Sequence, residues 1–184
     1  MKKSIFGLLI SLTNICFGQI NLENTYSDGY VTRVLLENSG EKYYLTDQIN
    51  KQVKIYNSNH SSWKTINLPT TAGATLSTVA HLSETKINAD NLIELTYSYF
   101  INNGGTLEYE SRVINENGTT LLTVTGASGI YLSEIQGLPN KLIAFVYGTS
   151  ATSKVYGLPT TGTSDINELT NIKVKTFPNP TSDF

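Results

Sequence analysis

Thirteen residues of this chain lie over another thirteen without a gap. Lys54-Ile55-Tyr56-Asn57-Ser58-Asn59-His60-Ser61-Ser62-Trp63-Lys64-Thr65-Ile66 matches Arg112-Val113-Ile114-Asn115-Glu116-Asn117-Gly118-Thr119-Thr120-Leu121-Leu122-Thr123-Val124, nearly position by position in kind. Each reads as strand, Asn-rich turn, strand, which is a β-hairpin. A repeated hairpin cannot bury its apolar face alone, so the chain is confined to architectures that stack β units. Shorter matches extend the pattern. Leu92-Ile93-Glu94-Leu95-Thr96-Tyr97 lies over Leu142-Ile143-Ala144-Phe145-Val146-Tyr147, Tyr43-Tyr44-Leu45-Thr46 fits the same slot, and Lys154-Val155-Tyr156 echoes Lys54-Ile55-Tyr56.

The period is about fifty residues and gives three units, at 30–69, 76–126 and 130–159. The first unit reads as four strands, over 30–36, 42–46, 53–56 and 63–68; the third is short of its last strand. Alternation supports strands. Ile93, Leu95, Tyr97 and Tyr99 share one face against Glu94, Thr96 and Ser98, and Leu107, Tyr109, Ser111 and Val113 oppose Glu108, Glu110 and Arg112. The segment 142–147 is apolar throughout, as expected of a strand covered on both faces. The expected fold is all-β, made of degenerate, four-stranded antiparallel units. They resemble β-propeller blades in a generic way, and a β-sandwich with repeated hairpins is the alternative.

Composition agrees. Charged residues make up only 15% of the 184-residue chain, against roughly 25% in an average globular chain, so Thr, Ser and Asn must supply the polar surface. With 11 Tyr and 14 Gly, that mixture suits half-buried strands and tight turns rather than helices. The net charge is -2, from 13 basic and 15 acidic residues; without Lys2 and Lys3 it becomes 11 against 15, or -4. No basic run or basic-aromatic stripe is present, so nucleic acid is not an expected partner.

The N-terminus reads as a leader. Lys2 and Lys3 precede an apolar run over 5–12, too short to span a bilayer, and Cys16-Phe17-Gly18 places small residues where signal peptidase reads. The expected signal peptide is 1–18, leaving Gln19 first and no cysteine in the mature chain. Asn14-Ile15 before Cys16 fits poorly with a lipid-anchoring signal.

After a linker at 160–171, the chain reads Ile172-Lys173-Val174-Lys175-Thr176 and then Phe177-Pro178-Asn179-Pro180-Thr181. A short strand followed by aromatic-Pro-Asn-Pro-Thr resembles the opening of the type A C-terminal sorting domain of the type IX secretion system. Such domains continue with further strands, so 172–184 would be only the start of one, a truncated signal. The resemblance implies export through the periplasm to the outer cell surface or beyond, with the secretion machinery as partner at both the N-terminal signal and the C-terminal motif.

The mature chain offers little chemistry. His60 and His81 lack metal-ligand spacing, and no Gly-x-Ser-x-Gly elbow, Asp-rich calcium loop or phosphate-binding Gly loop is present. His60 reads as a solvated turn residue and His81 as a strand residue. Asp47 and Asn50 read as hairpin-turn residues, and Glu94, Glu108 and Glu110 as solvated charges on outward faces. No cofactor is expected. Tyr43, Tyr44, Trp63, Tyr97, Tyr99 and Tyr109 could form an aromatic platform for a glycan or peptide, with core packing as the plainer reading. The expectation is a non-enzymatic binding or adhesion protein. The alternatives are a hydrolase accessory domain, a degraded hydrolase, or a remnant with no function of its own.

Overall fold

A computed structural model of the chain describes residues 20–148 and 150–159. The expected leader, the linker at 160–171 and the motif of Phe177, Pro178, Asn179, Pro180 and Thr181 lie outside the described residues. The described residues form strands and no helix.

Eleven strands make three antiparallel sheets, each pairing strands in chain order. The first sheet holds β1 (Val31–Leu36), β2 (Gly40–Asp47), β3 (Gln52–Asn57) and β4 (Ser62–Asn67). The second holds β5 (Thr75–Ser83), β6 (Glu94–Asn103), β7 (Thr106–Asn115) and β8 (Thr120–Thr125). The third holds β9 (Ala127–Ser133), β10 (Lys141–Val146) and β11 (Thr152–Gly157). The sheets span 31–67, 75–125 and 127–157, against units expected at 30–69, 76–126 and 130–159. Three sheets rather than two set the chain apart from a sandwich.

The repeated hairpin recurs in three dimensions. In β3–β4 the Asn57 amide donates to Ser61 O at 2.9 Å and the His60 amide to Asn57 O at 2.9 Å. In β7–β8 the Asn115 amide donates to Thr119 O at 3.0 Å and the Gly118 amide to Asn115 O at 2.9 Å. Both hairpins slip by one residue just before the turn, at Ile55/Tyr56 and at Val113/Ile114. Both need a left-handed residue at the same place, filled by His60 (φ 66) in one and Gly118 (φ 82) in the other.

The second sheet is the middle layer. Its Ile93, Leu95, Tyr97 and Tyr99 pack with Val53, Ile55 and Ile66 of the first sheet. Its opposite face carries Val113 and Val124, which pack with Ile130, Leu132, Leu142 and Ala144 of the third. Glu94, Thr96 and Ser98 share that opposite face and are buried there at 0, 2 and 1% exposure. Alternation in β6 therefore separates two buried faces, not an inner from an outer one. Glu94 is not a solvated charge: β9 lies against β6 and β7 and covers it.

The reverse correction applies to β10. Leu142 and Ala144 are buried, but Phe145 is 44% exposed, because no layer follows the third sheet among the described residues. The overlay of 92–97 on 142–147 pairs second strands correctly but out of register. Ile93 and Leu95 face the preceding sheet, whereas their overlaid partners Ile143 and Phe145 face away from it; there Leu142 and Ala144 take that role. An odd shift in register exchanges the faces of a strand.

A single residue, Gly126, carries the chain from β8 into β9. Its φ is 80°, its amide donates to Tyr109 O at 2.7 Å, and its carbonyl accepts the Tyr147 amide at 3.2 Å. Across the same junction Thr96 Oγ1 donates to Ile130 O at 3.3 Å and Ser111 Oγ to Ala127 O at 2.8 Å. These hydroxyls satisfy backbone acceptors inside an otherwise apolar contact.

Candidate functional site

The aromatic residues do not form one platform. Tyr97 and Tyr99 are each 2% exposed and belong to the core between the first two sheets. Their hydroxyls are taken, Tyr97 donating to Pro69 O and Tyr99 to the Glu110 carboxylate. Burial pushes the Tyr97 phenol up to about 12. Trp63 packs on the same core, with the ammonium groups of Lys42 and Lys64 each 4.7 Å from its ring centroid. Tyr109 leans on Phe100 at a distant position.

Tyr43 enters a different cluster, on the outer face of the first sheet. Tyr26 sits 4.9 Å from Tyr56 and 6.3 Å from Tyr43 between ring centroids, and its hydroxyl lies 2.8 Å from His60 Nδ1. The His60 ring is 5.1 Å from Tyr43, and its other nitrogen lies 3.5 Å from Glu23. His60 is therefore not solvated. It anchors the segment that precedes β1 onto the outer face of the sheet.

Tyr44 is the aromatic residue that opens onto a groove. Two clefts share Thr32 and Tyr44 as walls. One, of about 630 Å³, runs past Asp28, Tyr30, Gln48, Ile49 and Thr78. The other, of about 240 Å³, is lined by Arg33, Leu35, His81, Lys86 and Glu134. Together they follow the seam between β1 and β5, which belong to separate sheets and do not hydrogen-bond to each other. Tyr30 and Leu35 stand beside the seam at 95 and 74% exposure.

His81 is the most unusual residue of the groove. It lies within β5, as expected, but at φ 53 and beside a register slip between Ala80 and Ser83. A bulge of this kind re-aims a side chain. The His81 ring meets Tyr131 of β9 edge-to-face at 4.9 Å, and Tyr131 is 57% exposed. Burial, with the nearby Lys86 charge, holds the imidazole below its ordinary range while Glu134 opposes them. It is thus neutral near pH 7, with one donor and one acceptor nitrogen.

Carboxylates organise the far end of the groove. Glu37, after β1, accepts the Glu84 amide at 2.7 Å and the Ser83 hydroxyl at 3.1 Å. Glu84, after β5, accepts the Asn38 amide at 2.6 Å, the Ser39 amide at 2.9 Å and the Ser39 hydroxyl. Burial pushes the Glu84 carboxyl up, but these Ser39 and Asn38 donors outweigh it and hold the group below its ordinary range. Lys86 spans the remaining gap, 2.8 Å from Glu134 after β9 and 3.6 Å from Glu37. The exits of all three first strands are thereby tied together. Nothing in the sequence reading singled out these residues, although Leu82-Ser83-Glu84 and Leu132-Ser133-Glu134 are identical and stand fifty residues apart, the period itself.

Three other features lie outside the groove. A cleft of about 640 Å³ is walled by loops around Thr85, Asn91 and Leu138 and holds one charged side chain, Lys86. Glu94 is fully buried, and neither of its oxygens has a hydrogen-bond partner. Burial, reinforced by the nearby Asp90 carboxyl, pushes it up to about 8. Asp47 is a turn residue, as expected. It accepts the Asn50 amide at 2.9 Å and side chain at 2.8 Å, and Lys54 stands at 2.7 Å. Among the described residues no group of three or more His, Cys, Asp or Glu side chains is placed to hold a metal ion.

No protein family, curated protein or solved structure matches the chain.

Proposed function

We propose that the protein is an exported, non-enzymatic binding module whose ligand lies along the seam between β1 and β5, and that the ligand is a glycan. The observation that carries this reading is the groove that Tyr44 walls along its length. It offers two aromatic rings (Tyr30 and Tyr44), a neutral imidazole backed by Tyr131, and fixed charges in a row. Sugar rings present apolar faces and hydroxyl edges, and such a lining answers both. Glu37 and Glu84 are occupied by backbone and hydroxyl donors, so an adhesive role is favoured over that of a hydrolase. The leader at 1–18 and the motif at 177–181 supply the route: export through the periplasm and a type IX-like pathway to the outer surface or beyond.

Titration of the mature chain with a panel of soluble oligosaccharides tests the binding reading. Saturable binding is expected that Tyr44→Ala and Tyr30→Ala each weaken at least about tenfold, the loss of roughly 1.4 kcal/mol of contact. Tyr109→Ala, outside the groove, leaves it unchanged. Binding indifferent to Tyr44 and Tyr30, or no binding at all, would overturn the assignment.

A further inference from the structure

Glu94 opens β6, on the face of the middle sheet that the third sheet covers. It is fully buried, yet neither carboxyl oxygen has a hydrogen-bond partner. Burying a carboxyl without a partner is costly, and such a group marks a place where water or an ion belongs. The polar side chains that act on it belong to the loop joining β5 to β6. They are the Asp90 carboxyl and the Asn88 amide. These two are fixed to each other. Asn88 Nδ2 donates to Asp90 Oδ2 at 3.1 Å, and the Asp90 amide donates to Asn88 Oδ1 at 3.0 Å. Asp90 Oδ1 accepts the Leu92 amide at 2.9 Å. Each of these oxygens keeps a further lone pair. Neither Glu94 nor Asp90 joins an ion pair among the described residues.

We propose that Glu94, Asp90 and Asn88 hold a calcium ion at the entry to β6, with Glu94 as its buried anchor. Two carboxylates match the charge of a divalent ion. The donors are all oxygen, with no imidazole or thiolate among them, which suits calcium rather than zinc. Calcium accepts roughly six to eight oxygens in flexible geometry, so water at the outer side completes the shell. Magnesium demands a near-octahedral shell and gives up water reluctantly, so it fits this arrangement less well. Access is in place. Asp90 is exposed, Asn88 is half-buried and Glu94 is buried, a row of oxygen donors that leads inward from solvent. Asn88 also stands in the wall of a cleft of about 270 Å³ between the second and third sheets. Without the ion, burial keeps the Glu94 carboxyl protonated, and calcium takes the place of that proton. The proposal does not rest on the glycan reading, since none of the three residues lines the β1–β5 groove.

Isothermal titration of calcium chloride into the mature chain, first cleared of metal with a chelator, tests it. Saturable binding at one site is expected, with a Kd of about 10⁻⁴–10⁻³ M, the range of extracellular modules. Calcium at about 10 mM should raise the melting temperature by at least about 2 °C over that in chelator. Glu94→Gln keeps the shape of the side chain and should melt cooperatively with no calcium-dependent shift. Asp90→Asn, at the exposed end of the site, should weaken binding at least about tenfold. Absence of calcium binding by the parent, binding that both variants retain, or magnesium chloride bound as tightly as calcium would overturn the proposal.

Discussion

Glu37 and Glu84 each accept a backbone N–H from the other's segment. The Glu84 amide donates to Glu37 at 2.7 Å, and the Asn38 amide, next to Glu37, donates to Glu84 at 2.6 Å. The exchange staples the β1–β2 turn to the exit of β5 without any disulfide.

Removing one side of this exchange leaves partly buried donors unsatisfied. Glu84→Ala is expected to cost about 2–3 kcal/mol in chemical denaturation, because charge-assisted bonds are lost and the Asn38 and Ser39 amides are left without a partner. A double-mutant cycle with Glu37→Ala should show coupling of roughly 1 kcal/mol. Additive losses would mean that the two carboxylates act independently.

Glu94 sets a pH dependence. Its folded value is about 8, above the roughly 4.3 of an unfolded glutamate. Below the lower value both states hold the proton and the group contributes nothing to the slope. Between the two values the unfolded chain releases the proton and the folded chain keeps it. Stability should therefore fall as pH rises through that window, by up to about 1.4 kcal/mol per pH unit. Glu94→Gln should flatten this part of the profile, measured by urea denaturation at pH 5, 7 and 8. An unchanged slope would place the titration elsewhere.

Layer position predicts opposite costs for two apolar residues. Leu95, at 0% exposure in the middle sheet, should lose about 2–5 kcal/mol on conversion to Ala. Phe145, on the outer face of the third sheet, should tolerate Phe145→Ser within about 1 kcal/mol. Thermal unfolding of the two variants side by side decides it.

Gly126 is held where an L-residue is strained. At φ 80°, with the Val146 Cγ1 atom 3.2 Å from where a Cβ would stand, Gly126→Ala should cost about 1–3 kcal/mol. A neutral outcome would show that the β8–β9 step relaxes freely.

His60 separates turn from anchor. Its left-handed φ of 66° is the conformation Gly118 supplies in the equivalent hairpin. His60→Gly should leave global stability within about 1 kcal/mol. The amides of Tyr26 and its neighbours should exchange faster, because the contacts to Tyr26, Tyr43 and Glu23 are gone. Unchanged exchange there would remove His60 from its anchoring role.

The parts of this fold that were legible in the sequence are those fixed locally. Asn57 and Asn115 begin turns whose chemistry lies within five residues, so the hairpins and the three units could be read directly. Which faces are covered depends on neighbouring layers, and alternation reports only contrast between faces. Thr96 and Ser98 look outward by composition, yet both are buried, with β9 of the next sheet against β6 and Thr96 bonded to Ile130 O. The site suffered from the same limit. Tyr44 was a candidate, but Tyr97 and Tyr99 alternate identically and belong to the core. His81 and Tyr131 stand fifty residues apart, and only stacking of the sheets brings them into contact.

Every strand described here hydrogen-bonds only to the strands immediately before or after it in the chain. Closure of each sheet therefore needs no segment that has yet to arrive. A chain threaded N-terminus first through a narrow opening could complete the first sheet while the third is still inside, and loop-closure entropy stays small at each step. Assembly order would then follow the order of emergence, with β6 left half-covered until β9 appears.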